Sequence, residues 1–353
     1  RRGQMAVFMR KTRSVGRMKP ENYFNKIEEG ASMKTMRAIQ IDRPTKAEEI
    51  VFSEVPVPEA RPGWVLVKIK AFGLNHSEKI LREGEIFRDY IKKPIIPGIE
   101  CVGIVEDASD TGWQEGQKVI SLMGGMGRSF DGSYAEYALL PKHHVFPVET
   151  TLCWVDMGAI PETYYTAWGS LMQRLRLQVE DKVLICGGSC ALGYAAIQIA
   201  KALGCRVAAT SHRDRYLSLI EDAGADECIF DDGEIAGRVS GVTKALELIG
   251  CKTLFDTMQS VETGAIVCHT GVLGHVFTFQ KFSPLNHIPN GVYLTGFHSN
   301  NPTEQDVQDI FGFMDTHDLK PLVGAVYSFD DMRQALIDFD GHKVQGKIVI
   351  TVE

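Results

Sequence analysis

Between Lys182 and Leu203 the chain reads KVLICGGSCALGYAAIQIAKAL, and its apolar positions change period half-way. Val183, Leu184 and Ile185 form a continuous apolar run, which suits a short strand buried on both faces. Gly187-Gly188 ends it where the backbone must turn. Ala195, Ile199, Ala202 and Leu203 then recur at helical spacing. Strand, tight turn and helix are predicted in that order.

The flanking patterns divide the chain. Met36–Ile41, Glu49–Val55, Trp64–Ala71, Ile99–Val105, Gly116–Ile120 and Tyr134–Leu140 read as strands, broken by Arg43-Pro44, Arg61-Pro62-Gly63 and the glycine-rich loop Met123–Gly132. A helix is expected after Gly73–Glu78, and another over Leu152–Gln173. Arg206–Thr210 and Cys228–Phe230 are the next strands. Lys252–Asp256, Ala265–Thr270 and Val292–Phe297 supply further apolar runs, Glu304–Thr316 and Asp331–Phe339 return to helical spacing, and Lys347–Val352 is a last strand. Strands alternating with helices imply a doubly wound parallel sheet. The economical parse is an α/β domain inserted in a β-rich one: an extension over 1–35, a β-rich first part over 36–152, the α/β insert over 153–299 and a return segment over 300–353.

The glycine turn suits a dinucleotide. Free N–H groups at the start of a helix, with its positive dipole end, favour a pyrophosphate. Gly187-Gly188-Ser189-Cys190-Ala191-Leu192-Gly193 matches G-x-G-x-x-G imperfectly, with small residues at its centre. Gly188, Ser189, Ala191 and Leu192 are the candidate phosphate binders. The next strand ends in Ser211-His212-Arg213 with no acid before Asp214, whereas NAD sites carry an Asp or Glu there for the ribose 2′-hydroxyl. Ser211, His212 and Arg213 are therefore expected to hold the 2′-phosphate of NADPH. The alternative is a solvated Arg213 at a helix start. Cys190 is read chiefly as a space-filler, with a lowered thiol pKa at the helix start as the alternative.

Composition narrows the classes. At 353 residues two domains are expected. Residues 1–20 hold seven Lys or Arg and no acid, so the remainder is more acidic than the formal −7 of the whole. An acidic body argues against nucleic acid, and no apolar run is long enough for a membrane span. The eight cysteines are scattered without a C-x-x-C pair, as in reduced intracellular proteins. A cytoplasmic location is expected, or a mitochondrial one if residues 1–20 belong to a transit segment.

Gly73-Leu74-Asn75, Pro97–Gly103, Gly132–Tyr137, Thr166-Ala167-Trp168, the 187–193 turn and Gly346–Val349, in this order, resemble the medium-chain dehydrogenase/reductase superfamily, and within it the zinc-independent NADPH:quinone oxidoreductases. The resemblance implies a Rossmann domain inserted in a GroES-like catalytic domain, with the active site between them and a homodimer formed through the last Rossmann strand, near Val292–Phe297. Zinc-dependent members bind the metal at positions that read Asn75, Ile99 and Glu162 here, so no metal is expected. Hydride transfer to a quinone or an α,β-unsaturated carbonyl compound needs orientation and a proton or donor at oxygen. Asn75, Glu162 and Tyr165 are the catalytic candidates, against bland readings of Asn75 as a loop residue and Glu162 as a helix-start carboxylate. Tyr134 is read as packing and His76 as structural. Thr166, Cys268 and Thr270 are expected near the nicotinamide. Two other functions remain open: an enoyl-thioester reductase using Lys79, Arg82, Arg88, Lys92 and Lys93, and a non-catalytic NADPH-binding structural or adaptor protein.

Overall fold

The computed structural model describes residues 34–353. The extension assigned to 1–35 lies outside the described residues except for its last two. The strands are β1 (Thr35–Ala38), β2 (Ser53–Pro56), β3 (Trp64–Gly73), β4 (Glu100–Asp107), β5 (Lys118–Leu122), β6 (Tyr137–Pro141), β7 (Val145–Pro147), β8 (Lys182–Cys186), β9 (Arg206–Ser211), β10 (Glu227–Phe230), β11 (Lys244–Glu247), β12 (Ile266–His269), β13 (Tyr293–Gly296), β14 (Val323–Ser328) and β15 (Lys347–Thr351). The helices are α1 (His76–Glu83), α2 (Trp154–Gly158), α3 (Pro161–Trp168), α4 (Ala191–Ala202), α5 (Leu217–Asp222), α6 (Leu254–Gln259), α7 (Pro284–His287), α8 (Glu304–Thr316) and α9 (Met332–Asp340).

A six-stranded parallel sheet runs β10-β9-β8-β11-β12-β13. This is the doubly wound order in which the chain reverses direction beside β8, and a crevice opens there at the strands' C-terminal ends. Every residue of β8 is buried: Val183–Cys186 as an apolar run, and Lys182 with its ammonium paired to Glu227 at 2.6 Å. A second sheet runs β14-β15-β3-β4-β5-β7, with β6 also paired to β3. Its strands come from both ends of the chain, because β15 pairs antiparallel with β3 through Val349↔Gly73 and Ile350↔Phe72. The α/β unit is thus inserted between two parts of one β-rich unit. Ala71, Val102, Leu122 and Val349 of that β-rich unit join Tyr164, Ile197 and Leu246 in one core cluster. Val307, Ile310 and Met314 of α8 belong to the same cluster, and α8 meets the end of α3 through Trp168–Phe313 (5.3 Å) and the turn after it through Gln173–Asp306 (2.9 Å).

Three elements differ from the sequence pattern. The helix expected over Leu152–Gln173 is broken into α2 and α3, because Pro161 lacks an N–H to continue a helix and instead opens a new one. It ends as a π-helical turn over Gly169–Arg174, where the absence of a side chain on Gly169 admits the Phe297 ring. Lys252–Asp256 is not a strand: it leads into α6. The strand is β11, and its last residue, Glu247, turns its carboxylate onto the N–H groups of Ile249 (2.7 Å) and Gly250 (2.9 Å) and the hydroxyl of Thr253 (3.0 Å). Those bonds end the strand and fold 248–253 into the approach to α6. Among the described residues no helix is long and apolar enough to cross a membrane.

Candidate active site

Asn75 sits at the N-cap of α1 in extended backbone. Its Nδ2 donates to Glu100 Oε1 at 2.8 Å, and its Oδ1 accepts from Lys347 Nζ at 2.7 Å. Lys347 opens β15 and Glu100 opens β4; their side chains are 4% and 0% exposed and lie 2.8 Å apart. Two charges are removed from water here, and such burial is tolerable only when the pair is close and its remaining sites are bonded. They are: Glu100 Oε2 accepts the backbone N–H of Glu162 at 2.6 Å.

Glu162 lies in the first turn of α3, directly after Pro161. Its Oε1 accepts from Ser299 Oγ at 2.6 Å and Thr166 Oγ1 at 2.9 Å. Its Oε2 is buried with no partner among the described residues. Burial pushes its pKa from near 4.5 up to about 7, and the charge of Glu100 adds to the rise, against the hydrogen bonds of Ser299 and Thr166 and the charge of Lys347. The group is therefore a carboxylic acid poised to hold or release a proton near neutral pH.

From Thr166 the bonding continues to the parallel sheet. Ser170 Oγ donates to the Thr166 carbonyl at 2.7 Å and shares a hydrogen bond of 2.9 Å with Thr270 Oγ1. Thr270 lies just past β12, 3.4 Å from Cys268 Sγ. The hydroxyl of Thr166 is thus engaged by Glu162, and the Cys268 thiol is buried, leaving backbone groups as what Cys268 offers a ligand. Tyr165 takes no part in this cluster: its ring packs edge-on to Phe297 at 5.7 Å, and burial raises its hydroxyl pKa to about 12. Tyr134 donates to the buried Glu78 carboxylate at 2.7 Å, consistent with packing.

At the crevice, Gly187 takes φ +86°, which favours glycine, and its N–H donates to Thr210 Oγ1 at 3.2 Å. A Cβ on Gly193 would lie 2.4 Å from the Gly187 carbonyl oxygen, so α4 can approach the turn only with glycine there. Ser189 and Leu192 flank this close turn, and Ala191 begins α4. Cys190 is the N-cap, its Sγ accepting from Gly193 N–H at 3.2 Å; burial raises its thiol pKa, which overturns the alternative of a lowered one. Ser211 Oγ donates to Ser189 Oγ at 3.1 Å and accepts the Arg213 N–H at 3.2 Å. The Arg213 guanidinium lies 5.8 Å from the Tyr216 ring centre, and His212 is exposed beside it. This close turn with its hydroxyls fits a dinucleotide pyrophosphate.

The zinc positions do not fit a catalytic metal. Ile99 has no donor atom, and the ligating oxygen of Asn75 already receives an ammonium at 2.7 Å. Three of the cations expected to receive thioester phosphates are spent in ion pairs: Arg82 with Asp340 (2.6 Å), Lys92 with Asp131 (2.6 Å) and Lys79 with Glu83 and Asp340 (3.7 Å each). The glycine-rich loop is pinned by Arg128, which bonds Glu85 at 2.7 Å and the Ser77 carbonyl at 3.1 Å. Between this loop and Asn300 lies a pocket of about 350 Å³, also lined by Ser77, Tyr90, Met123 and Met126. Glu100, Lys347 and Ser299 are the site residues that sequence reasoning missed. The first two stand in the quoted Pro97–Gly103 and Gly346–Val349 motifs.

Residues 61–150 match the alcohol dehydrogenase GroES-like domain, and residues 223–350 match a domain described as zinc-binding dehydrogenase. The chain belongs to the medium-chain dehydrogenase/reductase superfamily. Within the superfamily it is an oxidoreductase of quinone oxidoreductase type. It is 26% identical to the mouse quinone oxidoreductase over 338 residues, covering 90% of this chain and 98% of that protein. The human quinone oxidoreductase is 25% identical over 334 residues, again with 90% and 98% covered. The crystal structure of AibC superposes with a TM-score of 0.83 at 22% identity, covering 96% and 100% of the two chains. That of the quinone oxidoreductase from Coxiella burnetii gives 0.78 at 21%, covering 91% and 100%. These two likenesses concern the fold.

Proposed function

We propose that the chain reduces quinones or α,β-unsaturated carbonyl compounds with NADPH, without zinc. The observation that carries this reading is Glu162, whose unpartnered Oε2 belongs to a carboxyl protonated near neutral pH, inside a cluster that binds an ammonium where a metal ligand stands in zinc-dependent relatives. The bound nicotinamide supplies the hydride. The hydride electron pair reaches the substrate's β-carbon or a quinone oxygen, and the displaced π electrons move to the carbonyl oxygen. Glu162 gives its Oε2 proton to that oxygen, yielding an enol that tautomerises to the saturated ketone, or a hydroquinone. Ser299 and Thr166 hold the carboxyl through Oε1, and Glu100 fixes the backbone of Glu162. The pocket beside Ser77 and Asn300 is the proposed substrate entrance.

Ser211, the Arg213 backbone and the Arg213 guanidinium form the proposed 2′-phosphate seat, supported by the absence of an acid at the end of β9. Replacing Arg213 by Ala is expected to raise the NADPH Kd about tenfold or more, as for the loss of a charged hydrogen bond, and to leave NADH little changed. Fluorescence titration with both cofactors checks this, and equal weakening of the two would remove Arg213 from the seat.

A homodimer through β13 is also proposed. This strand is the sheet's outer edge, and Tyr293 is 64% exposed, with Phe277 and Leu285 exposed nearby in the chain. Sedimentation of the 39.1 kDa chain is expected to give twice that mass, and Tyr293→Lys to shift it toward the monomer. A monomeric parent chain would contradict the dimer.

A further inference from the structure

Three histidines with no part in the chemistry above meet where three parts of the chain converge. His76 opens α1 beside Asn75, His275 follows β12, and His342 lies between α9 and β15. The rings of His76 and His275 are edge-on with centres 5.1 Å apart, and those of His275 and His342 lie 6.4 Å apart. His275 (φ 57°) and His342 (φ 49°) both adopt left-handed backbone.

The cluster adjoins the phosphate turn. Gln345, in the same loop as His342, reaches the Ser189 carbonyl with its Nε2. His76 faces His275, Lys79, His342 and Asp340, while His342 faces Lys79, His275, Arg213 and Asp340. Asp340 is the one acid in this set, and it is shared with Arg82 at 2.6 Å and Lys79 at 3.7 Å. Burial foremost, then the surrounding positive charge, keeps the His76 imidazole neutral down to about pH 4 and lowers His342 in the same direction. A polyanion placed among them reverses that balance.

We infer that His76, His275 and His342 form a clasp across the cleft that grips the pyrophosphate of the dinucleotide, with His76 and His342 taking up protons from solvent as it does so. The clasp rests on the dinucleotide reading proposed above. It implies binding that strengthens as pH falls, because the bound state holds more protons than the free one.

Calorimetric titration of the full chain at pH 6, 7 and 8, in buffers of differing ionisation heat, tests this with NADPH, NADH and inorganic pyrophosphate. All three are expected to weaken about threefold or more per pH unit, with net proton uptake. NADH lacks the 2′-phosphate, so its slope cannot come from that group. The double variant H76N/H342N is expected to bind both cofactors with neither slope nor proton uptake, while its unfolding temperature confirms that it remains folded. Cofactor binding without a slope overturns the clasp alone, as does a slope that survives in the folded double variant or is missing for pyrophosphate. Failure of both cofactors to bind overturns the dinucleotide reading and the clasp together.

Discussion

Replacing Glu162 by Gln is expected to lower kcat for quinone or enone reduction about a hundredfold or more and to flatten its pH profile near neutrality. Glutamine retains an Oε1 that accepts from Ser299 and Thr166, so the fold of the site is kept, but it has no proton to give. In the parent chain the active form carries the proton, so kcat is high below about pH 7 and falls as pH rises through the pKa of about 7. Stability follows the same sign. The folded state keeps the proton up to about pH 7, while the unfolded chain loses it near 4.5, so this group's contribution declines between those values and is level above them. Glu162→Gln removes that decline, and unfolding midpoints at pH 5 and pH 8 are expected to lie closer together than in the parent chain. Initial rates across pH 5.5–8.5 read the catalytic half. A variant with the parent's kcat and pH profile would remove Glu162 from the chemistry.

The largest loss of stability is expected at Lys347. Changing it to Met leaves the Glu100 carboxylate buried without its cation, at a cost of about 3–5 kcal/mol. It also frees the Asn75 amide oxygen and exposes Glu162 to the unopposed charge of Glu100, so the Glu162 pKa should rise further and the fall in kcat should move to higher pH. Adding Glu100→Gln to Lys347→Met removes the stranded charge. The double variant is expected to recover most of the loss, with a coupling energy of several kcal/mol in a thermal or urea unfolding cycle. Additive single and double losses would show that the pair is not coupled.

Much of the fold was legible because it is written in periods. Glu304–Thr316 reads as a helix from its spacing and is α8 to the residue, and the 182–203 stretch becomes β8, its turn and α4. β11 was not legible, because four residues, Lys244–Glu247, carry no period of their own and their end is set by a buried carboxylate that bonds the next turn. β14 alternates only weakly between half-buried and exposed positions at the sheet's edge. In the site, Glu162 was visible as the one residue at the zinc positions with useful chemistry. Its unpartnered oxygen was not, because that depends on Ser299 and Thr166 both choosing Oε1. Lys347 and Glu100 stood in recognised motifs, but their pairing comes from β15 folding back beside β3 from the far end of the chain. Tyr165 had the chemistry of a donor, yet the turn of α3 points it into the core.

The measurement that bears most directly on the account is the rate of NADPH oxidation by the purified chain, after metal chelation, over a panel of quinones and enones. The expected result is turnover that is indifferent to the chelator, prefers NADPH to NADH and declines above about pH 7. Tight NADPH binding with no turnover on any of these substrates, or turnover abolished by the chelator and restored by zinc, would contradict it.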